Sequence, residues 1–204
     1  MDRSWQIPRW LYPCFPDILF RSKDAAIHLS FDDGPDPNST PILLSRLNQF
    51  GWKASFFVLG EKAEQYPSLM EQIREEGHRV ENHGYQHLDG WKISKKTFWE
   101  NERSGRKIAG SNLFRPPYGH ISLSAYRSRP KDVRIVLWDL MTYDFDARMD
   151  GKMRDQLINK KLRPGAIIVM HDHPDRIEAT LEDLNTIAQW SSARSIPVRE
   201  IPLK

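Results

Sequence analysis

The stretch Ala26-Ile27-His28-Leu29-Ser30-Phe31-Asp32-Asp33-Gly34-Pro35 reads as a short apolar strand, Ala26 to Phe31, that runs straight into two carboxylates and a turn. A similar order of events recurs farther along the chain. Further strand candidates are Ala54 to Leu59, His78 to Asn82, Leu113 to Phe114, Val133 to Trp138, Ala166 to Met170 and Val198 to Ile201. Amphipathic segments alternate with them at Pro41 to Phe50, Pro67 to Glu76, Ser94 to Ile108, Gly151 to Leu162 and Ile177 to Ala193. Thr40 offers an N-cap to the first of these helices, and Gly77 closes the second. Short strands alternating with helices predict an α/β fold on a mostly parallel sheet.

Reactive side chains follow the strands rather than sit within them. Asp32 and Asp33 come after the first, His83 after Val80, Arg115 after Phe114, Asp139 and Asp144 after Val136 to Trp138, and His171 after Met170. In a barrel of parallel strands the loops after the strand C-termini meet on one rim, so residues distant in sequence converge there.

The bulk properties bound the rest. A chain of 204 residues, 39% hydrophobic and 28% charged, is sized and composed as a soluble single domain. Its net charge of +3 is spread among mixed signs, so no basic stripe suggests nucleic acid, and no obligate protein partner is evident. Cys14 is the only cysteine, which excludes an intramolecular disulfide and a cysteine-rich zinc cage. Pro8, Pro13, Pro16 and Asp17 interrupt the first twenty residues, leaving neither a signal-peptide core nor a membrane span, and a cytoplasmic location is expected. Residues 1 to 25 are expected to wrap the barrel as an extended, proline-rich arm, with the catalytic domain over 26 to 204.

Two adjacent carboxylates before a tight turn can divide labour, one binding a cation and the other acting as base, although the pair alone also reads as an ordinary turn. His83 and His87 are four apart and face one side if the chain makes a helical turn there. Added to an Asp, they make three N/O ligands with room for water, the composition of a catalytic rather than a structural zinc site. Arg115-Pro116-Pro117-Tyr118-Gly119 offers a permanent forked cation on a rigid turn. Trp138 to Phe145 brings Asp144, and Val169-Met170-His171-Asp172 delivers a histidine at a strand end.

This ordered set, Phe-Asp-Asp-Gly-Pro, His-x3-His, Arg-Pro-Pro-Tyr, Trp-x5-Asp and apolar-x-His, resembles the five motifs of the NodB-type polysaccharide deacetylases of carbohydrate esterase family 4, over about residues 26 to 202. The resemblance implies a single-domain distorted (β/α) barrel with its active site at the strand C-terminal rim. It implies that Asp33, His83 and His87 bind one divalent metal, Zn2+ by ligand type, with Co2+ or Ni2+ able to substitute. Asp32 is then the general base held by Arg115, the Tyr118 backbone N–H faces the oxyanion, and His171 is the general acid oriented by Asp144. Phe145 and Val169 border the acetyl pocket, with Pro117 also on the substrate side, while Trp91 and Tyr85 offer flat faces for sugar rings. The implied reaction removes N-linked acetyl groups from an amino-sugar glycan of chitooligosaccharide or peptidoglycan type, using water activated by the metal.

Four positions depart from the family pattern: Gly84 where Ser or Thr is usual, Phe145 for Trp, Val169 for Leu, and Met141 where an Asp is more common. None removes a catalytic group. Two other readings share these motifs: a hydrolase of small amides or cyclic imides, and a carbohydrate-binding homologue that has lost catalysis.

Overall fold

The computed structural model describes residues 9–202. Nine strands form one curled sheet: β1 (Ile18–Leu19), β2 (Ile27–Asp32), β3 (Ser55–Val58), β4 (Arg79–Asn82), β5 (Leu113–Phe114), β6 (Arg134–Val136), β7 (Leu140–Met141), β8 (Ile167–His171) and β9 (Val198–Arg199). Their order is β1-β6-β5-β4-β3-β2-β8-β7, with β9 also paired to β2, and all these pairings are parallel. The second strand from one end of that order, β6, and the strand at the other end, β7, are separated in the chain by only residues 137–139. Leu137 N–H donates to Leu19 O on one edge and Asp139 N–H to Ile167 O on the other. A connection that short can span only about 14 Å, so the sheet curls until its edges nearly meet. This is the distorted barrel that the alternation of elements predicts.

β2 is an interior strand, paired with β3, β8 and β9, and is buried along its whole length. His28 is tolerated there because both ring nitrogens are satisfied, Nδ1 by Glu200 O at 2.7 Å and Nε2 by Asp24 at 2.7 Å. Helices α1 (Thr40–Phe50), α2 (Gly60–Gln65), α3 (Pro67–Glu75), α4 (Lys95–Ala109), α5 (Leu123–Arg127), α6 (Gly151–Lys161) and α7 (Ile177–Ser192) surround the sheet. Leu43, Leu44 and Leu47 of α1 and Leu181, Leu184, Ile187 and Trp190 of α7 join Phe31, Phe56 and Ile168 in the main core. Each such side chain contributes about 1.5–3 kcal/mol of burial. Ser94 caps α4 and Asp150 caps α6 through side-chain oxygens, and Gly51 and Gly110 end α1 and α4 at φ of 66° and 72°.

The five helices and seven strands expected from periodicity are present, shifted by a residue or two at their ends. The structure adds α2, α5, β1 and β7, all too short to leave a periodic signal. The expected extended arm is corrected over its described part. Residues Arg9–Cys14 form a 3₁₀ turn, and Ile18–Leu19 pairs in register with Ile135 and Val136, so this segment supplies the sheet edge rather than an outer wrap. The Tyr12 and Phe20 rings stack at 4.2 Å and anchor it. Residues 1–8 of the arm lie outside the described residues. No helix among the described residues is long and apolar enough to cross a membrane.

Candidate active site

The loops after β2, β4, β5, β7 and β8 meet over a cavity of about 330 Å³ lined by Asp32, Asp33, His83, His87 and His171, with Tyr118, His120, Trp138, Met141 and Phe145 among its walls. Three of the four non-glycine residues with positive φ among the described residues sit in these loops: Asp33 at 75°, Tyr118 at 60° and Tyr143 at 63°. Such backbone costs on the order of 1 kcal/mol or more per residue and persists where surrounding contacts impose it.

At the base of the cavity, Asp33 Oδ1 lies 3.4 Å from His83 Nε2 and 3.2 Å from His87 Nε2. One donor atom from each of the three residues lies within 4.8 Å of the others. His83 Nδ1 is 2.8 Å from Arg115 O, a bond it can make only as a donor, so Nε2 is the ring nitrogen turned toward Asp33. Asp33 Oδ1 is buried and has no hydrogen-bond partner among the described residues. Burial alone would raise its pKa, but the neighbouring imidazoles outweigh that and hold the carboxyl well below the usual range. Two imidazole nitrogens and an ionised oxygen converging without hydrogen bonds among them fit a divalent cation, and the N/N/O set suits zinc.

Asp32 is buried beside this triad. Its Oδ1 accepts from Arg115 at 2.6 Å, while Oδ2 faces His83 Nε2 at 4.0 Å. Arg115 is wholly buried and held on every side. It donates to Ser30 Oγ at 2.8 Å, Leu137 O at 3.2 Å and Val136 O at 3.3 Å, and its guanidinium carbon lies 4.0 Å from the centre of the Phe57 ring. A group fixed this way can keep one carboxylate oxygen in place and leave the other available.

His171 Nδ1 pairs with Asp144 Oδ1 at 2.8 Å. Asp144 Oδ2 accepts from the His171 N–H at 2.7 Å and from Thr180 Oγ1 at 2.9 Å, and Arg176 donates to the Asp144 carbonyl at 2.9 Å. Burial alone would lower the His171 pKa. Asp144, with Asp33 and Asp32 adding to it, reverses that and holds the imidazole at about 9. The Phe145 ring meets His171 edge-on at 4.8 Å. The backbone N–H of Tyr118 makes no hydrogen bond to the rest of the described chain, and the Tyr118 ring lies against His87 at 4.4 Å.

A profile of the polysaccharide deacetylase family matches residues 21–129. The chain belongs to the polysaccharide deacetylase family. A peptidoglycan-N-acetylglucosamine deacetylase of Bacillus cereus is 33% identical over 174 residues, covering 80% of this chain; the chain spans only 62% of that relative's length. A chitooligosaccharide deacetylase of Azorhizobium caulinodans is 31% identical over 78% of this chain and 80% of its own. Among solved structures, a peptidoglycan N-acetylglucosamine deacetylase in complex with an N-oxidanyl-benzamide superposes with a TM-score of 0.84 at 27% identity, over 96% of this chain and 95% of the other. The curled parallel sheet with its helices is thus the fold of these deacetylases.

The family's motif positions fall where the cavity is, with exceptions on the substrate side. Asp32, Asp33, His83, His87, Tyr118, Phe145 and His171 line it, and Arg115 and Asp144 stand directly behind Asp32 and His171. Val169 and Pro117 are buried and do not line it, and Tyr85 and Trp91 lie outside it. Tyr85 instead donates to Glu64 at 2.9 Å and packs on Gly60. Asp139, another strand-end carboxylate, is turned away from the cavity and engaged by Arg163 and Tyr12.

Three wall residues were not given this role from the sequence: Met141, His120 and Trp138, the last of which opens the Trp-x5-Asp motif. Met141 is also the position where an Asp is more common, and here it makes that wall apolar. Gly84 has a local explanation. Its φ is 90°, and an added Cβ would lie 2.6 Å from Asn101 Nδ2. Asn101 holds this loop in place, donating to Gln86 O and accepting from Gln86 N–H.

Proposed function

We propose that this chain is a metal-dependent hydrolase that removes acetyl groups from the nitrogens of an amino-sugar glycan of peptidoglycan or chitooligosaccharide type. The observation that carries the reading is the pairing inside one cavity of an Arg-held carboxylate, Asp32, with an Asp-held histidine, His171, beside the Asp33, His83 and His87 donor set. A sugar-binding relative without catalysis has no need of that opposed base and acid. We assign the catalytic groups to residues 26 to 204, on a sheet whose edge strand β1 precedes them.

Asp33, His83 and His87 would hold one divalent cation, zinc by donor type, with cobalt or nickel able to replace it. When bound, it supplies Lewis acidity toward the acetyl carbonyl and eases deprotonation of water. Asp32 Oδ2 takes the proton of the attacking water while Arg115 keeps Oδ1 fixed. The Tyr118 N–H is free to donate to the oxygen that gains charge. His171, protonated on Nε2 and anchored through Nδ1 to Asp144, then gives its proton to the departing nitrogen, which leaves as an amine rather than an amide anion. Phe145, Met141 and Trp138 give the reacting group an apolar wall that excludes water.

Acetate release from a panel of N-acetylated sugars and oligomers, with metal content measured on the same sample, tests this reading. Turnover of acetylated amino sugars that tracks bound metal supports it. Turnover confined to cyclic imides or short amides would remove the carbohydrate substrate, and sugar binding without any turnover would favour the silent homologue.

A further inference from the structure

Just beyond the cavity, the Trp91 and His120 rings stack at 3.5 Å with 8° between their planes. The stack is built into the fold from several sides. Asp89 Oδ1 receives both the Trp91 N–H at 3.0 Å and His120 Nδ1 at 2.8 Å. Between them, Gly90 comes so close to the next loop that an added Cβ would lie 2.1 Å from His120 O and 2.8 Å from the Phe98 ring. The indole Nε1–H reaches toward Ile121 O at 3.4 Å. Yet Trp91 remains 63% exposed. A large apolar ring held in one orientation against an imidazole, with its remaining surface in water, is arranged as a receiving surface rather than as part of a core.

Its position says what it receives. His120 lines the cavity and Trp91 does not. Ring-to-ring contacts of 4.4 Å from His87 to Tyr118, 5.6 Å from Tyr118 to His120 and 3.5 Å from His120 to Trp91 form a continuous aromatic row leading outward from the triad. We propose that the Trp91–His120 stack is a platform for a neighbouring pyranose ring of the same glycan chain, so that the protein selects oligomers over single sugars. This rests on the glycan deacetylase reading and deepens it. The C–H face of a pyranose lies flat on an indole, and burial of that face supplies binding remote from the reacting acetyl group. Asp89 and His120 act as positioning residues for Trp91.

The test compares kcat/KM for N-acetylglucosamine oligomers, from the monosaccharide to the pentamer, in the metal-loaded protein. Trp91→Ala should reduce the ratio of pentamer to monosaccharide kcat/KM roughly tenfold, chiefly through KM, as the loss of about one aromatic contact implies. Trp91→Phe should recover much of that ratio, and His120→Ala should lower it while His120→Phe, which keeps a stacking partner, should not. A fall of equal size at every chain length would mean that Trp91 merely braces its loop, and an unchanged ratio would equally overturn the platform. Failure of the deacetylase reading is separable, because pentamer affinity measured by calorimetry in Asp32→Asn protein, with and without Trp91→Ala, needs no turnover. Equal affinities there would refute the platform whatever the protein hydrolyses.

Discussion

Replacing Asp144 with Asn should move the alkaline limit of activity far more than it changes the acid limit. In the native arrangement His171 is held at about 9, against 6.5 for an ordinary histidine. Burial works against that value, Asp144 is the leading group that opposes it, and Asp33 and Asp32 help from farther off. A cation bound by Asp33 would offset the charge of those two carboxylates, so in the metal-loaded protein the charge of Asp144 is the main support left. An amide in its place should let the His171 pKa fall to about the ordinary 6.5. The protonated fraction at pH 8 then drops about 30-fold, against less than about twofold at pH 6. The amide also loses part of the double hydrogen bond to the His171 N–H and Nδ1, but that loss slows the reaction equally at all pH values. The assay is kcat/KM against pH, with the His171 imidazole followed by NMR in metal-free protein. The stability consequence has a definite sign. A histidine whose folded pKa is raised stabilises the fold below about 6.5 and loses that contribution as pH rises through about 9. The Tm of metal-free native protein should therefore fall across that window more steeply than the Tm of His171→Ala. An alkaline limb that stays in place in Asp144→Asn would show that Asp144 does not set the charge of His171.

The adjacent aspartates should separate cleanly: Asp33→Ala should lose bound metal and activity together, whereas Asp32→Asn should lose turnover and keep most of the metal, as read by metal analysis on each purified variant. Arg115→Met should destabilise the fold by about 3–5 kcal/mol in denaturant unfolding, since it strands the buried Asp32 carboxylate without its cation, and binding of metal should lower that penalty. Gly84→Ser, which brings the histidine motif nearer its family pattern, should lower stability by about 1–3 kcal/mol rather than raise it, because the new Cβ meets Asn101 on backbone that only glycine adopts easily. An unchanged midpoint in that variant would mean that Asn101 can swing aside.

Much of this architecture was readable in advance because two periodicities carry it. β2 is buried on both faces and reads as an apolar run, while the major helices are amphipathic and bounded by Gly or Pro. The two-residue strands β1 and β7 left no such trace, and only the curl of the sheet gives them partners. The site followed the same division. Groups delivered at strand ends were legible, since a strand end determines where its next residues emerge. Walls made by neighbours in space were not: His120 directly follows the Arg115–Gly119 motif and Met141 lies inside a strand, and nothing in their spacing marks them as facing the cavity. Val169 illustrates the limit. It is two residues before His171 on β8 and so on the same face, but one layer deeper, where it is fully buried and away from the cavity.

Arg115 ties the two halves of the proposed site together in a way that neither motif suggests alone. Its guanidinium fixes Asp32 Oδ1, and its carbonyl fixes the Nδ1 tautomer of His83. The same residue therefore orients the base and determines which imidazole nitrogen faces Asp33. Its backbone is in turn set by Arg115 N–H donating to Asn82 O, one residue before His83. A displacement of the β5 end should then disturb base and donor set at once rather than one after the other. Replacing the guanidinium alone leaves the carbonyl in place, which is why Arg115→Met is expected to impair the base far more than metal binding, and why equal loss of both would point to movement of the strand end itself.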